Sequence, residues 1–139
     1  MQIKLSENFT LEEMVRSMTA EKFKIPNIPD ANHVACLRNL CVNILQPIRD
    51  KWGKPIRISS GFRSYALNKK VGGVATSQHL KGEAADIVCD DNNVLWNIIR
   101  EMIYNGEIVV GQLIDEKNLM WIHISLPMGK NVNQILKLK

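Results

Sequence analysis

The apolar side chains between residues 34 and 52 recur with the period of an α-helix. They are Val34, Leu37, Leu40 or Cys41, Ile44, Leu45, Ile48 and Trp52. Asp30 precedes this run and is a suitable N-cap, while Gly53 and Pro55 follow it and are typical of a helix end. The pattern therefore predicts one long helix, which we expect Pro47 to kink.

Three shorter helices are also predicted, each opened by a residue whose side chain can cap the first turn. They cover residues 11–17, 65–71 and 92–104, with Thr10, Ser64 and Asp90 as the N-caps. Glu13, three residues after Thr10, completes a capping box, and glycines at 72 and 106 close the other two helices. Ahead of the long helix, two prolines predict a loop over residues 24–29.

Strand-like patterns follow the long helix. They cover residues 56–59, 84–89, 107–115 and 121–126. A short polar connection separates the last two runs, which predicts a β-hairpin, and residues 74–82 are predicted as a loop. Helices therefore come first and a small sheet follows. We expect an α+β fold in which a helical N-terminal half packs on a mostly antiparallel sheet.

Length and composition agree with this architecture. The chain has 139 residues, of which 45% are hydrophobic and 23% charged. It is long enough for one domain with a hydrophobic core and too short for two ordinary ones, so we expect a single domain over residues 1–139. The composition excludes a disordered or fibrous chain. No run approaches the roughly 20 apolar residues of a membrane-spanning helix, so no membrane span is predicted.

The net charge and the cysteine content give weaker indications of partners and chemistry than the patterns above give of the fold. A net charge of +4 favours an anionic partner such as nucleic acid or bacterial cell wall. The sequence lacks a basic helix with interleaved aromatic residues, so we expect no nucleic-acid partner. Cys36, Cys41 and Cys89 are an odd number without a C-x-x-C pair. We expect them to be small buried side chains rather than a disulfide framework or a nucleophile.

Two histidines and one aspartate form the strongest candidate for a chemical site. His79 and Asp86 lie seven residues apart, and His123 follows Asp86 by 37 residues. Side chains of these types are the ligands of catalytic zinc sites, which keep a fourth position open. The alternative is that His79 and Asp86 form a surface hydrogen-bonding pair and that His123 is a strand residue bonded to a backbone carbonyl.

The order of residues around these positions resembles a known family. The motif S-x-H-x-x-G-x-A-x-D over residues 77–86, followed by W-x-H at 121–123, is similar to the metal motifs of the M15 peptidases. This family is the zinc-dependent D-alanyl-D-alanine carboxypeptidase and cell-wall endopeptidase group. S-G-F-R-S at residues 60–64, followed by Leu67-Asn68 and Gly72-Gly73, extends the likeness, which covers roughly residues 55–125.

This resemblance implies a fold, a cofactor and a substrate. The fold would be Hedgehog/DD-peptidase-like, and the cofactor would be Zn²⁺ with His79, Asp86 and His123 as its ligands. The substrate would be a peptide of bacterial peptidoglycan. The small positive charge of the chain suits such an anionic wall.

A metallopeptidase also needs a general base. Many M15 enzymes carry an acid three residues before the last histidine, where this chain has Met120. In the phage-like subgroup that the chain resembles most, the acid instead ends the preceding strand in a Q-L-I-x-E segment, which Q-L-I-D-E matches. If Glu116 pairs with Trp121 across the hairpin, it shares a sheet face with the last histidine. A register shift of one residue would put Asp115 there, and the alternative is that both acids are solvated.

Four further residues are candidates for contacts with the substrate. The resemblance to the family's S-x-[YF]-R motif implies that Arg63 holds a substrate carboxylate or the oxyanion of the reaction. From position alone, Arg63 is more often a surface or helix-start residue. Ser77 and Gln78 border His79 and are assigned to binding the peptide or positioning that histidine. Trp121 is assigned to an apolar wall of the site, with hairpin core as the alternative.

Together these inferences predict a zinc-dependent peptidase that hydrolyses peptidoglycan stem peptides, as a carboxypeptidase or an endopeptidase. The alternative is a non-catalytic zinc-containing module that binds cell wall or a protein, which Met120 suggests. Residues 1–8 show no secretory signal. We therefore expect synthesis in the cytoplasm, with phage-type release of an endolysin as the route to the wall, and we expect a monomer.

Overall fold

A small hairpin and two short helices open the fold in the computed structural model, which describes residues 2–138. These elements are β1 (Lys4–Ser6), β2 (Phe9–Thr10), α1 (Leu11–Val15) and α2 (Met18–Phe23). Thr10 caps α1 as predicted, because its hydroxyl accepts a hydrogen bond from the Glu13 N–H. The hairpin and α2 are not predicted by the sequence, since strands of three and two residues and a helix of six are too short to show a period.

The long helix forms as predicted, in three consecutive parts. They are α3 (Ala31–Leu40), a π-helical turn (Cys41–Leu45) and α4 (Gln46–Trp52). The Asp30 carboxylate accepts a hydrogen bond from the His33 N–H at the first turn, and Gly53 ends the helix with a φ of +76°. Pro47 has no N–H and crowds the carbonyl four residues before it. The π-helical turn ends two residues before Pro47, and the kink at Pro47 stays a prediction.

The main sheet has five strands in the order β3-β4-β6-β5-β7. They are β3 (Arg57–Ser60), β4 (Ala84–Val88), β5 (Gln112–Glu116), β6 (Trp121–Ser125) and β7 (Gln134–Leu138). All pairings are antiparallel except that of β5 with β7, which is parallel. The predicted α+β class and mostly antiparallel sheet are confirmed. The N-terminal half is not purely helical, however, because it also supplies β1, β2 and β3.

Two strand predictions need correction. The first strand of the hairpin begins at Gln112 rather than at residue 107, and β7 is missing from the predicted elements. Residues 107–111 are irregular, and a Cβ atom at Gly111 would overlap the Leu126 carbonyl. The Gly111 N–H nevertheless donates to the Ser125 carbonyl at 2.7 Å. A close backbone approach therefore replaces regular pairing at this end of the hairpin.

Two further helices and a short turn connect the strands. They are α5 (Tyr65–Lys70), a 3₁₀ turn (Gln78–Lys81) and α6 (Asn92–Tyr104). Ser64 caps α5 as predicted. The cap of α6 is Asp91 rather than Asp90, because the Asp91 carboxylate accepts the Val94 N–H at 3.1 Å. The 3₁₀ turn lies inside the segment predicted as a plain loop.

The hydrophobic core lies between one face of the sheet and the helices. Its fully buried members include Leu37, Leu40, Ile44 and Ile48 from the long helix, Leu95 and Ile99 from α6, and Ala85, Ile87, Ile122 and Ile124 from β4 and β6. Burying each large side chain contributes roughly 1.5–3 kcal/mol. Because side chains alternate along a strand, Asp86 and His123 lie on the opposite face. Within residues 2–138, no helix combines the length and the apolar character needed to cross a membrane.

Candidate active site

His79 is held by the backbone around it. The Ser77 hydroxyl accepts the His79 N–H at 3.2 Å and starts the 3₁₀ turn. Gly82 ends that turn with a φ of +74°, a conformation that favours glycine. The Nδ1 atom of His79 lies 2.7 Å from the Gly61 carbonyl oxygen. A carbonyl can only accept, so Nδ1 carries the ring proton and Nε2 presents its lone pair to the site.

Asp86 and His123 are direct partners on neighbouring strands. They oppose each other in the pairing of β4 with β6, and His123 Nδ1 lies 3.0 Å from Asp86 Oδ1. The same carboxylate oxygen lies 3.4 Å from His79 Nε2. Asp86 therefore lies between the two imidazoles that the sequence analysis grouped with it.

His79, Asp86 and His123 form a group that could hold a metal ion, which we call the metal-type group. One potential ligand atom from each of His79, Asp86 and His123 lies within 4.8 Å of the others. The three residues are only 4%, 6% and 8% exposed. Burial raises the pKa of Asp86, but the neighbouring imidazoles of His123 and His79 outweigh it and hold the pKa well below its usual range. A charged carboxylate between two imidazoles is a donor set that suits Zn²⁺.

Gln78 contacts the metal-type group itself. Its side-chain oxygen lies 2.8 Å from His123 Nε2, on the side of the ring away from Asp86. From the sequence, Gln78 is assigned to binding the peptide or positioning His79, its neighbour in the chain. The structure places its amide against His123, 45 residues away, and Gln78 also lines the cleft. Ser77 lines the cleft beside it as well as capping the turn.

Arg63 follows β3 and enters the cleft beside Asp86. Its Nη2 atom lies 3.6 Å from Asp86 Oδ2, and its Nε–H donates to the Ser60 hydroxyl at 3.0 Å. Burial lowers the pKa of Arg63, whereas the charges of Asp86 and Glu116 raise it. The side chain is only 16% exposed, so it is not the surface residue that its position alone suggests.

Asn68 supports Arg63, a role that the sequence analysis did not assign. The buried Asn68 side chain accepts a hydrogen bond from Arg63 Nη1 at 3.1 Å and donates to the Val74 carbonyl at 2.9 Å. A Cβ atom at Gly73 would overlap the Asn68 oxygen. In the sequence, the Leu67-Asn68 and Gly72-Gly73 pairs were the signal that could have indicated this role. The structure gives the reason for both pairs, because Asn68 holds Arg63 and Gly73 leaves room for the Asn68 side chain.

The hairpin has the first of the two registers that the sequence leaves open. Glu116 opposes Trp121 and Ile114 opposes His123, so Glu116 lies on the cleft face. The Trp121 indole N–H donates to the Glu116 carboxylate. Asp115 lies on the other face and is 7% exposed. Its carboxylate accepts the Leu119 N–H at 2.7 Å, so it stabilises the hairpin turn and is not solvated.

These residues line one cleft of about 590 Å³. Arg63, Ser77, Gln78, Glu116 and Trp121 surround the group of His79, Asp86 and His123 there. The lining also includes residues that were not assigned to the site from the sequence, among them Asn131 and Leu138 from the C-terminal segment. No short motif surrounds them, so only the fold brings them to the cleft.

The spacing of these residues matches that of a known family. A family model described as Peptidase M15 matches residues 7–125, which include the metal-type group, Arg63 and Glu116. The chain belongs to the Peptidase M15 family. Residues 126–138 of this M15 chain, with Asn131 and Leu138, lie outside the matched span.

One curated relative shares part of this M15 sequence. It is the zinc D-Ala-D-Ala carboxypeptidase of Streptomyces albus G, which is 48% identical over 44 residues. The matched stretch is 31% of this chain and 17% of the relative. The chain thus matches less than a fifth of the relative's length.

Proposed function

We propose that this M15 protein is a zinc-dependent peptidase that hydrolyses peptide bonds in the stem peptides of bacterial peptidoglycan. The observation that carries the proposal is the convergence of His79, Asp86, His123, Glu116 and Arg63 on one cleft. The name of the Streptomyces relative supports zinc and a cell-wall peptide. The proposal includes a Hedgehog/DD-peptidase-like fold and action of the protein as an endolysin on the cell wall.

His79, Asp86 and His123 would hold the ion, through His79 Nε2, an Asp86 carboxylate oxygen and His123 Nδ1. When bound there, Zn²⁺ supplies Lewis-acid polarisation of the scissile carbonyl and lowers the pKa of water toward 7. The lone pair of His79 Nε2 is already directed into the site, since Nδ1–H donates to the Gly61 carbonyl. His79 therefore needs little rearrangement to bind, whereas His123 Nδ1 must exchange its contact with Asp86 Oδ1 for the ion.

Glu116 is the proposed general base. It would take a proton from the attacking water and pass it to the leaving amine. Its carboxylate lies on the cleft face opposite Trp121, whose indole N–H donates to it. This contact holds the side chain on the metal side of the hairpin.

Arg63 is the proposed electrostatic partner of the substrate. Two of its N–H groups donate to Ser60 and Asn68, and a guanidinium has five. The remaining N–H groups can donate to a substrate carboxylate or to the oxyanion that develops at the scissile carbonyl. Ser77 and Trp121 also line the cleft and would contact the bound peptide.

Digestion of purified peptidoglycan, with mass analysis of the released fragments, tests the proposal. We expect the zinc-loaded protein to release stem-peptide fragments, whose masses distinguish a carboxypeptidase from an endopeptidase. Removing the metal with a chelator should abolish release, and adding Zn²⁺ back should restore it. His123→Ala is the matched control, because it removes one ligand and should not recover activity with added zinc.

The second candidate is a zinc-containing module that binds cell wall or a protein without catalysis. Met120, which is 67% exposed, favours it, because many M15 enzymes carry an acid at that position. This candidate predicts that the zinc-loaded protein sediments with purified peptidoglycan and releases no fragment. Release of any fragment in a zinc-dependent manner contradicts it.

A further inference from the structure

The C-terminal strand β7 forms one wall of the cleft. It pairs with β5 in parallel, and Leu138 lies beside Glu116 in that register. Leu138 therefore projects on the same face as Glu116, and both line the cleft. Ile135 lies on the opposite face, beside α6 residues Arg100 and Ile103. The two side chains are similarly exposed, at 48% and 41%.

The wall is fixed to the rest of the sheet along its length. The Asn133 N–H donates to the Val110 carbonyl at 2.6 Å, and the Asn133 side chain accepts the Val110 N–H at 2.9 Å. At the other end, the Lys117 N–H donates to the Leu138 carbonyl at 3.0 Å. The position of Leu138 relative to the cleft is therefore set by backbone hydrogen bonds.

The cleft has a polar side and an apolar side. Arg63, which follows the edge strand β3, lies on the polar side. The opposite edge strand is β7. Leu138 of this strand and Ile114 of the neighbouring strand β5 both line the cleft. Trp121 adds apolar surface, because its only polar atom, the indole N–H, is already donated to Glu116. An extended peptide that runs from Arg63 across the metal-type group toward β7 would thus pass the Glu116 carboxylate and then meet the apolar surface of Leu138.

We infer that Leu138, Ile114 and Trp121 form a subsite for an apolar side chain of the peptide substrate. The inference rests on the proposed peptidase function and adds a determinant of specificity to it. Two strand spacings, about 10 Å, separate β7 from the strand of His123, and an extended peptide covers that distance in about three residues. The recognised side chain therefore lies within about three residues of the scissile bond.

The experiment compares point variants on a set of peptides. The starting point is a synthetic stem peptide that the wild-type protein cleaves. Leucine or glycine is placed in it at one position at a time, among the three residues on either side of the scissile bond. The quantity measured is the ratio of kcat/KM for the leucine and glycine forms. Leu138→Ala tests the wall, Ile135→Ala is the control on the other face of β7, and Leu138→Met keeps the wall apolar. Circular dichroism melting verifies that each variant folds.

We expect one position at which the wild-type protein prefers leucine by about 10-fold, the effect of a small apolar group in a pocket. Leu138→Ala should remove this preference through KM, whereas Ile135→Ala and Leu138→Met should retain it. A preference that persists in Leu138→Ala, or that Ile135→Ala removes equally, overturns the subsite. A wild-type protein that cleaves without any such preference also overturns the subsite and leaves the peptidase intact. If the zinc-loaded wild-type protein cleaves no wall peptide, the proposed function fails and the subsite with it.

Discussion

The two faces of the central strands β4 and β6 are almost equally buried, but different interactions stabilise them. On the core face, Ile87 and Ile122 are fully buried among apolar side chains. On the cleft face, Asp86 and His123 are 6% and 8% exposed, and their polar atoms are hydrogen-bonded. Burial by itself therefore does not distinguish the core of this protein from its site.

The difference lies in what covers each face. The core face is covered by the long helix and α6, whose apolar side chains are interchangeable in kind if volume is kept. The cleft face is partly covered by the 3₁₀ turn and by Arg63, which bring polar groups that must match in position as well as type. Substitutions on the core face should therefore change the free energy of unfolding, and substitutions on the cleft face should change metal binding and catalysis.

The largest effect is expected when Glu116 and Asp115, two neighbouring acids on opposite faces of β5, are each replaced by the corresponding amide. Glu116→Gln keeps the shape and the contact with Trp121 but removes the base, so kcat should fall by about 10²–10⁴-fold while zinc binding is retained. Asp115→Asn should leave kcat nearly unchanged, because Asp115 accepts only the Leu119 N–H. Steady-state kinetics on a cleaved wall peptide measures both. The reverse outcome would assign the base to Asp115 and contradict the hairpin register.

The next effect concerns the core face. Ile122→Ala should lower the free energy of unfolding by about 2–5 kcal/mol, through lost burial and a residual cavity, and Ile122→Val by about 0.5–1.5 kcal/mol. Urea denaturation of the metal-free protein measures both values. The folded variants should keep the zinc affinity of the wild-type protein. A parallel loss of zinc affinity would mean that the two faces are coupled and would break the comparison.

A smaller effect is expected at Gln78, a residue of the 3₁₀ turn whose side chain contacts His123 on the cleft face. Once Nδ1 of His123 binds a cation, the ring proton is on Nε2 and needs an acceptor, which the Gln78 oxygen supplies at 2.8 Å. Gln78→Ala should weaken zinc binding by about 10–100-fold, and Gln78→Glu should retain it. Competition with a chromophoric chelator measures the affinity. Unchanged zinc affinity with a raised KM would instead support substrate contact, as the sequence suggested.

The smallest effect is expected at Cys41, a titratable group inside the core. Burial raises the pKa of the Cys41 thiol to about 12, from a usual value of 9.0. Above pH 9 the unfolded chain loses this proton first, so the free energy of unfolding should fall as the pH rises, by at most about 1.4 kcal/mol per pH unit. Urea denaturation at pH 8 and pH 10 measures the slope, and Cys41→Ala should reduce it. An equal slope in Cys41→Ala would show that the thiol is accessible in the folded protein.

The sequence alone determined the long helix, the presence of the hairpin and the grouping of His79, Asp86 and His123. Each depends on a local signal: a period of apolar positions, two strand-like runs joined by a short polar connection, or residues at a fixed spacing in short motifs. The hairpin register stayed open between Glu116 and Asp115, and the pairing of Glu116 with Trp121 in the structure decided it. His79, Asp86 and His123 were grouped correctly, because alternation along β4 and β6 puts Asp86 and His123 on one face once those strands pair.

The tertiary structure decided which side chains from distant parts of the chain complete the cleft. Gln78 reaches His123 across 45 residues, and β7 brings Leu138 beside Glu116 through a parallel pairing. A parallel pairing has no turn to set its register, and no period in the sequence reveals which edge a strand will join. Contacts of this kind form only when the helices and strands pack together, because the free energy that selects them comes from burial and hydrogen bonding across the whole fold.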